Sequence, residues 1–215
     1  MAGRFMGFPR EAIDFFKGLE ANNKKEWFQG RKDVYERACR EPMRELMTEL
    51  EPQLGRSKIS RINRDIRFSS DRSPYKTYIA AGVGRYYIAL SPAGLYVGTG
   101  MYKPDPVTLT RFRSAIDSDA SGPKLHTLVR SLRRKGYQVD THESVASAPR
   151  GYSVDHPRIE LLRMKDAFAG KAMAPGPWLS SRKALDRIMR VMIDIKPFSD
   201  WLERYVRARP SPDAR

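Results

Sequence analysis

The sequence predicts an α+β fold, an antiparallel or mixed sheet packed by helices within a single domain. Three observations predict it. Apolar residues recur at helical spacing up to Leu54 and again after Leu109, while Tyr-, Ile- and Val-rich runs suited to strands fill the interval. Helices and strands do not alternate strictly, as a doubly wound fold would require. The 215 residues, 40% hydrophobic and 10% aromatic, suit one ordinary domain with a real core, and no separating linker or internal repeat is evident. Residues 1–207 are expected to form that domain, and the Pro-rich, charged residues 208–215 a flexible tail.

Phe8-Pro9 leads into a first helix with Ile13, Phe16 and Leu19 on one face. Asn22-Asn23 break it, and Asn23 is placed to cap a second helix carrying Trp27, Arg31, Tyr35 and Ala38. Pro42 is expected to open a third, with Met43, Leu46, Met47, Leu50 and Leu54 at helical spacing. The run from Thr77 to Leu90 reads as strand, Ser91-Pro92-Ala93-Gly94 as a turn, and Leu95, Val97 and Thr99 as a returning strand, so residues 78–101 are predicted as an antiparallel hairpin. Leu109, Phe112 and Ile116 mark a helix, and Leu125, Leu128, Val129 and Leu132 another that Gly136 ends. Residues 137–140 suit a short strand, 141–151 are irregular, His156 to Leu162 suit a brief helix, and Asp166–Met173 a strand. After the break at Ala174-Pro175-Gly176-Pro177, one helix carries Leu185, Ile188, Met189 and Met192. Pro197 is expected to start the last, with Phe198, Trp201, Leu202 and Tyr205 inward.

Forty Lys and Arg oppose 25 Asp and Glu, a net charge of +15. Such a field concentrates anions, making nucleic acids, phosphorylated metabolites and acidic protein surfaces candidate partners. The same excess spread over solvated faces would argue only solubility. Cys39 stands alone, which excludes a disulfide framework or a Cys-based zinc site within one chain, and it suits a small buried hydrophobe. His126, His142 and His156 are far apart and show no metal-binding spacing, so neither metal nor cofactor is expected. The N-terminus lacks a signal-peptide core and no run nears the ~18 apolar residues of a membrane span. With the lone cysteine, this predicts a cytoplasmic protein without a membrane partner; oligomeric state is not legible.

The chemistry-bearing stretch runs from Arg61 to Lys76. It holds Arg61, Arg64, Arg67, Arg72 and Lys76 with Asp65 and Asp71, and Ser69, Ser73 and Tyr75 add neutral donors. A guanidinium presents a planar fork of donors that grips carboxylate or phosphate in two places. If Asp65–Arg67 is extended, Asp65 and Arg67 share one side and Ile66 takes the other. The alternative is an internal ion-pair network that merely holds a long loop. Gly98-Thr99-Gly100 stands between a strand and a helix near Pro106, where backbone amides can cradle phosphate. The third glycine of a dinucleotide fingerprint and a Walker lysine are both missing, so a bulge or close backbone packing is the plainer account. Arg113 could reach an anion there or pair with Asp105. Tyr75 and Tyr102 could stack on a base or sugar, or serve as packing residues. Asn22, Asn23 and Trp27 are explained by capping and core packing, and Arg130, Arg133, Arg134 and Lys135 by a solvated helix end. Signatures of helix-turn-helix, zinc-finger or RNA-binding sheet modules are missing.

Several of these motifs carry a family resemblance. Phe15-Phe16-Lys-Gly-Leu-Glu-Ala-Asn22-Asn23-Lys-Lys-Glu-Trp27-Phe28 opens it, and Asn63-Arg64-Asp65-Ile-Arg67-Phe68-Ser69 through Ser73-Pro74-Tyr75-Lys76 is its centre. Gly98-Thr-Gly100-Met-Tyr102, Leu109 and Arg113 follow, then Gly151-Tyr152, His156-Pro157, Leu161 and Lys165. The chain resembles the bacterial and fungal "domain of unknown function 2461" family from about Phe8 to Trp201, departing at Arg72, where that family more often carries Lys. The resemblance implies one full-length domain and supplies no established activity. The expected function is binding of an anionic ligand bearing phosphate or carboxylate, through Arg64, Asp65, Arg67, Ser69, Arg72, Tyr75, Lys76, Tyr102 and Arg113. The alternatives are an enzyme acting on a phosphorylated small molecule, with Asp65 as acid or base beside Arg64 and Arg67, and non-specific nucleic-acid association.

Overall fold

Pro9 holds extended backbone, and helix α1 (Arg10–Ala21) starts directly behind it, burying Ala12, Ile13, Phe15, Phe16 and Leu19. This computed structural model describes residues 3–65 and 71–207, so the expected tail at 208–215 lies outside the described residues. The second helix is not the continuous one expected. Helix α2 (Lys25–Gln29) ends at Gly30, where a helix interior is entropically costly, and Arg31 leaves helical geometry (φ −135°, ψ 18°). The chain then re-enters helix as α3 (Lys32–Val34), a π-helical turn (Tyr35–Arg40) and α4 (Glu41–Leu54) without interruption. Pro42 therefore sits inside a helical run instead of opening one. It has no N–H to give to Ala38, and its ring crowds that carbonyl; the wider ladder of the preceding π turn relieves both.

The strands are β1 (Ser57–Ile59), β2 (Ile79–Val83), β3 (Tyr86–Ser91), β4 (Gly94–Met101), β5 (Gln138–Asp140) and β6 (Ala167–Met173), in the order β1-β2-β3-β4-β6-β5. The β1–β2, β2–β3 and β5–β6 pairs are antiparallel. The fold is α+β, as predicted. The hairpin expected over 78–101 is a three-strand meander, because the run read as one strand turns at Gly84-Arg85. Gly84 has φ 53°, and a Cβ there would lie 2.1 Å from the Leu54 carbonyl oxygen. Only glycine tolerates both demands at once.

The chain clusters into two compact units, Met1–Val97 with Ala172–Val191, and Gly98–Lys171 with Met192–Arg215. In the first, α4 packs on β1 and β2, and α1 on β3. Its core holds Phe16, Leu46, Ile79, Ile88 and Leu90, each at most 1% exposed. Cys39 is buried there, as expected. Glu49 ties the chain's start into this unit: it accepts from the Phe5 amide at 2.7 Å and from Arg182 at 2.6 and 2.7 Å.

In the second unit, Asp105 caps α5 (Pro106–Asp117) by accepting from Val107 N and Thr108 N. Helix α6 (Gly122–Arg134) follows, then α7 (Ile159–Leu162). Trp201 Nε1 donates to the Ser121 carbonyl at 3.0 Å. Helix α8 (Lys183–Leu202) runs through Pro197 instead of starting there. The turn that Pro197 disturbs carries exposed Ile193, where water can satisfy the freed carbonyl. Tyr205 is half-buried, and Val206 is the residue of that last turn that faces inward.

Candidate functional site

Within the Arg61–Lys76 segment, the described stretches 61–65 and 71–76 pair side by side as the base of a hairpin. Arg64 N donates to Pro74 O and Lys76 N to Ile62 O, both at 2.9 Å, around an antiparallel bridge between Asn63 and Tyr75. Asn23 clamps its base. The Asn23 side-chain amide donates to Tyr75 O at 2.8 Å and accepts from Tyr75 N at 3.1 Å, reproducing a strand partner across 52 residues of chain. The helix-capping role expected for Asn23 is therefore not filled; Lys24 occupies the cap position of α2 and makes no side-chain cap bond. Tyr75 is 5% exposed and stacks on Phe28, with ring centroids 4.2 Å apart at 22°.

Charge gathers around this base. Arg64 pairs with Asp71, whose Oδ1 accepts from Ser73 N at 2.9 Å. Bonds from Ser73, and then Arg64, hold the Asp71 carboxyl below its ordinary range. The Lys76 ammonium donates to Arg61 O at 3.0 Å. Burial first, and then the charges of Arg61 and Arg64, lower its pKa from the ordinary lysine value. Asp65 and Arg72 are exposed. Arg67 and Ser69 lie outside the described residues, and so does the predicted Asp65–Arg67 extended face.

A cleft of about 430 Å³ opens beside the hairpin base. One wall is the helical run, contributing Lys32, Glu36 and Arg40; the other is the chain leaving β1, contributing Arg61 and Asn63. Phe28, Tyr35 and Tyr75 also border it. Arg40 NH1 lies 3.2 Å from both Glu36 oxygens, while Lys32 and Arg61 form no ion pair among the described residues. Burial raises the pKa of Tyr35, which keeps its hydroxyl neutral. Of the predicted ligand residues, Tyr75 lines this cleft. Lys32 and Arg40 were not anticipated, although their spacing with Glu36 at four-residue intervals marks one helical stripe.

The candidate residues divide between the two units: Arg64, Asp65, Arg72, Tyr75 and Lys76 belong to the first, Tyr102 and Arg113 to the second. Arg113 does not pair with Asp105, which is engaged in capping α5; its Nε donates to Leu162 O at 3.2 Å. Gly100 is packed against backbone, since a Cβ there would sit 2.3 Å from Ala167 O. In the basic run ending α6, Arg133 pairs with Glu160 at 2.7 Å and Lys135 with Asp194 at 3.2 Å, so both are anchored instead of simply solvated.

Tyr102 is 66% exposed and meets His142 edge-on, with ring centroids 5.2 Å apart. Lys103, in left-handed backbone at φ 45°, lies over the Tyr102 ring. His142 Nδ1 is 2.9 Å from Asp166, which is 3% exposed and also accepts from Thr141 Oγ1 and His142 N at 2.8 Å. This pairing across 24 residues carries no local sequence signal. Among the described residues, no group of three or more His, Cys, Asp or Glu is placed to hold a metal ion, and no helix is long and apolar enough to cross a membrane.

Comparison with known proteins sets these features in a family. No curated protein matches the chain. A solved structure described as "Conserved hypothetical protein Pfu-178653-001 from Pyrococcus furiosus" is similar at 14% identity and a TM-score of 0.39, covering 76% of this chain and 89% of that one. The family model described as "Conserved hypothetical protein (DUF2461)" matches residues 11–201, and the chain belongs to that family.

Proposed function

We propose that the cleft between the Lys32–Arg40 helical wall and Arg61 binds a small anionic ligand bearing phosphate or carboxylate groups. The observation that carries this is the charge balance of the walls: Lys32, Arg40 and Arg61 stand against the single carboxylate of Glu36. Arg61 offers a two-pronged donor fork, Lys32 a mobile point charge and Asn63 a neutral donor. The lowered pKa of Lys76 reflects partial burial first and then the neighbouring charges of Arg61 and Arg64, which an incoming anion would offset. Asn23 and Phe28 fix Tyr75, and its bridge to Asn63 fixes the stretch beside Arg61. Arg64, Asp65, Arg67, Ser69, Arg72 and Lys76 complete the proposed ligand-binding segment, and the cleft draws on the first unit alone.

Thermal melts in inorganic phosphate, pyrophosphate and citrate test the proposal. At ~100 times the dissociation constant a ligand stabilises the folded state by ~2.7 kcal/mol. For a chain of this length that raises Tm by about 5–10 °C. The double variant Lys32→Ala/Arg61→Ala is expected to lose most of the rise. No rise with any of the three anions, or an equal rise in the variant, would refute the assignment.

A further inference from the structure

The meander β2–β3–β4 has a second face that contributes nothing to the cleft. Register places Ile79 opposite Leu90, Ala81 opposite Ile88 and Val83 opposite Tyr86, and all six are buried. They form the inner face. On the outer face, Lys58 lies opposite Gly82, and Gly82 opposite Tyr87, making one row across β1, β2 and β3. Ala80 and Ala89 pair in the next row.

Tyr78 precedes β2, two residues before Ala80, and its side chain hydrogen-bonds to that of Tyr87, two residues before Ala89. The two side chains thus reach toward each other across a pair of alanines too small to obstruct them. Tyr96, on β4, joins them with its ring centroid 6.3 Å from that of Tyr87. Tyr87 is 40% exposed and Lys58 is exposed, Gly82, Ala89 and Tyr96 are half-buried, and Ala80 is buried, so all of these outward positions but Ala80 retain access to solvent.

We propose that this tyrosine face binds single-stranded nucleic acid, with bases stacking on Tyr78, Tyr87 and Tyr96 and the phosphate chain drawn along the Lys58 edge. Three properties select that occupant. Every base has a π-face, so closely set rings on a sheet hold unpaired bases without reading sequence. A duplex keeps its base faces within its own stack and offers the rings nothing. The outward residues Lys58, Gly82, Ala80, Ala89, Tyr87 and Tyr96 include no acid, and the whole chain carries +15, which favours a polyanion over an acid- or aliphatic-anchored protein partner.

Fluorescence anisotropy with a labelled oligothymidylate and a matched duplex, using the full chain, tests this. The wild type is expected to prefer the single strand. Tyr87→Ala should weaken it by about tenfold or more, while Tyr87→Phe, which keeps the ring, should stay near wild type. Lys58→Gln should lessen the slope of log K against log salt by about 0.7. Should Tyr87→Ala fail to fold, Tyr96→Leu removes a stacking ring at a half-buried position and carries the same expectation. Undiminished binding in the alanine or leucine variant, equal or tighter binding of the duplex, or no binding by the wild type would each overturn the proposal. So would sedimentation showing that Tyr87→Ala instead abolishes a self-association of the chain. Arg61 variants leave this face intact, so failure here is separable from failure of the anion cleft.

Discussion

Replacing Asn23 with Ala removes both hydrogen bonds that hold Tyr75 against the first unit, at 2.8 and 3.1 Å. Each such bond contributes ~1 kcal/mol net, and a buried group left without a partner costs ~1–3 kcal/mol. Tyr75 is only 5% exposed, so little water can replace the lost amide. The Tyr75–Phe28 stack remains and limits the collapse. The expected loss is about 2–4 kcal/mol in urea unfolding, or a fall in Tm of about 5–15 °C. Asn23→Asp keeps the acceptor for Tyr75 N–H but loses the donor to Tyr75 O, and should fall between the two. Hydrogen exchange adds the location: the Tyr75 amide should lose protection in Asn23→Ala more than amides of β3. A change under about 0.5 kcal/mol, with Tyr75 still protected, would refute the idea that this one side chain anchors the hairpin base.

Two further outcomes follow from the same structure. The Arg182 hydrogen bonds, with help from the Phe5 amide, lower the Glu49 pKa, so the folded state binds that proton less tightly than the unfolded chain. Its contribution is complete above the unfolded value near pH ~4.3 and is lost as pH falls through the lowered folded value. Glu49→Gln should cost about 1–2 kcal/mol at neutral pH, after discount for partial exposure, and flatten the acid limb of stability measured by urea melts. An unchanged limb would contradict it. Gly84→Ala should cost about 1–3 kcal/mol by equilibrium unfolding, because left-handed backbone and contact with the Leu54 carbonyl act together; a neutral result would contradict the turn geometry.

The parts of the fold legible in sequence were those fixed by local period. Ile13, Phe16 and Leu19 announced α1, and Leu109, Phe112 and Ile116 announced α5, because a one-sided apolar stripe has few other uses. Continuity was harder. Pro42 and Pro197 read as helix starts, yet a π turn in one case and an exposed turn in the other let the helix pass through. Gly84-Arg85 hid a hairpin turn because the residues on both sides favour strand equally well. The candidate site divides the same way. The basic character of Arg61 to Lys76 is visible in composition, whereas no local signal joins Lys32 and Arg40 to Arg61, and only folding sets them around one cleft. The Asn23–Tyr75 clamp and the His142–Asp166 pair join distant residues, and nothing local to either partner foretells the other.

The central claim is that three cations around one cleft hold an anion, and calorimetric titration with inorganic pyrophosphate tests it most directly. The wild type should bind at one site per chain with an affinity that weakens as salt rises, and Arg61→Glu, which reverses charge on one wall, should weaken binding by at least about tenfold while leaving the melting curve without ligand nearly unchanged. Equal heats for wild type and Arg61→Glu, or heats that vanish for neither at high salt, would contradict it.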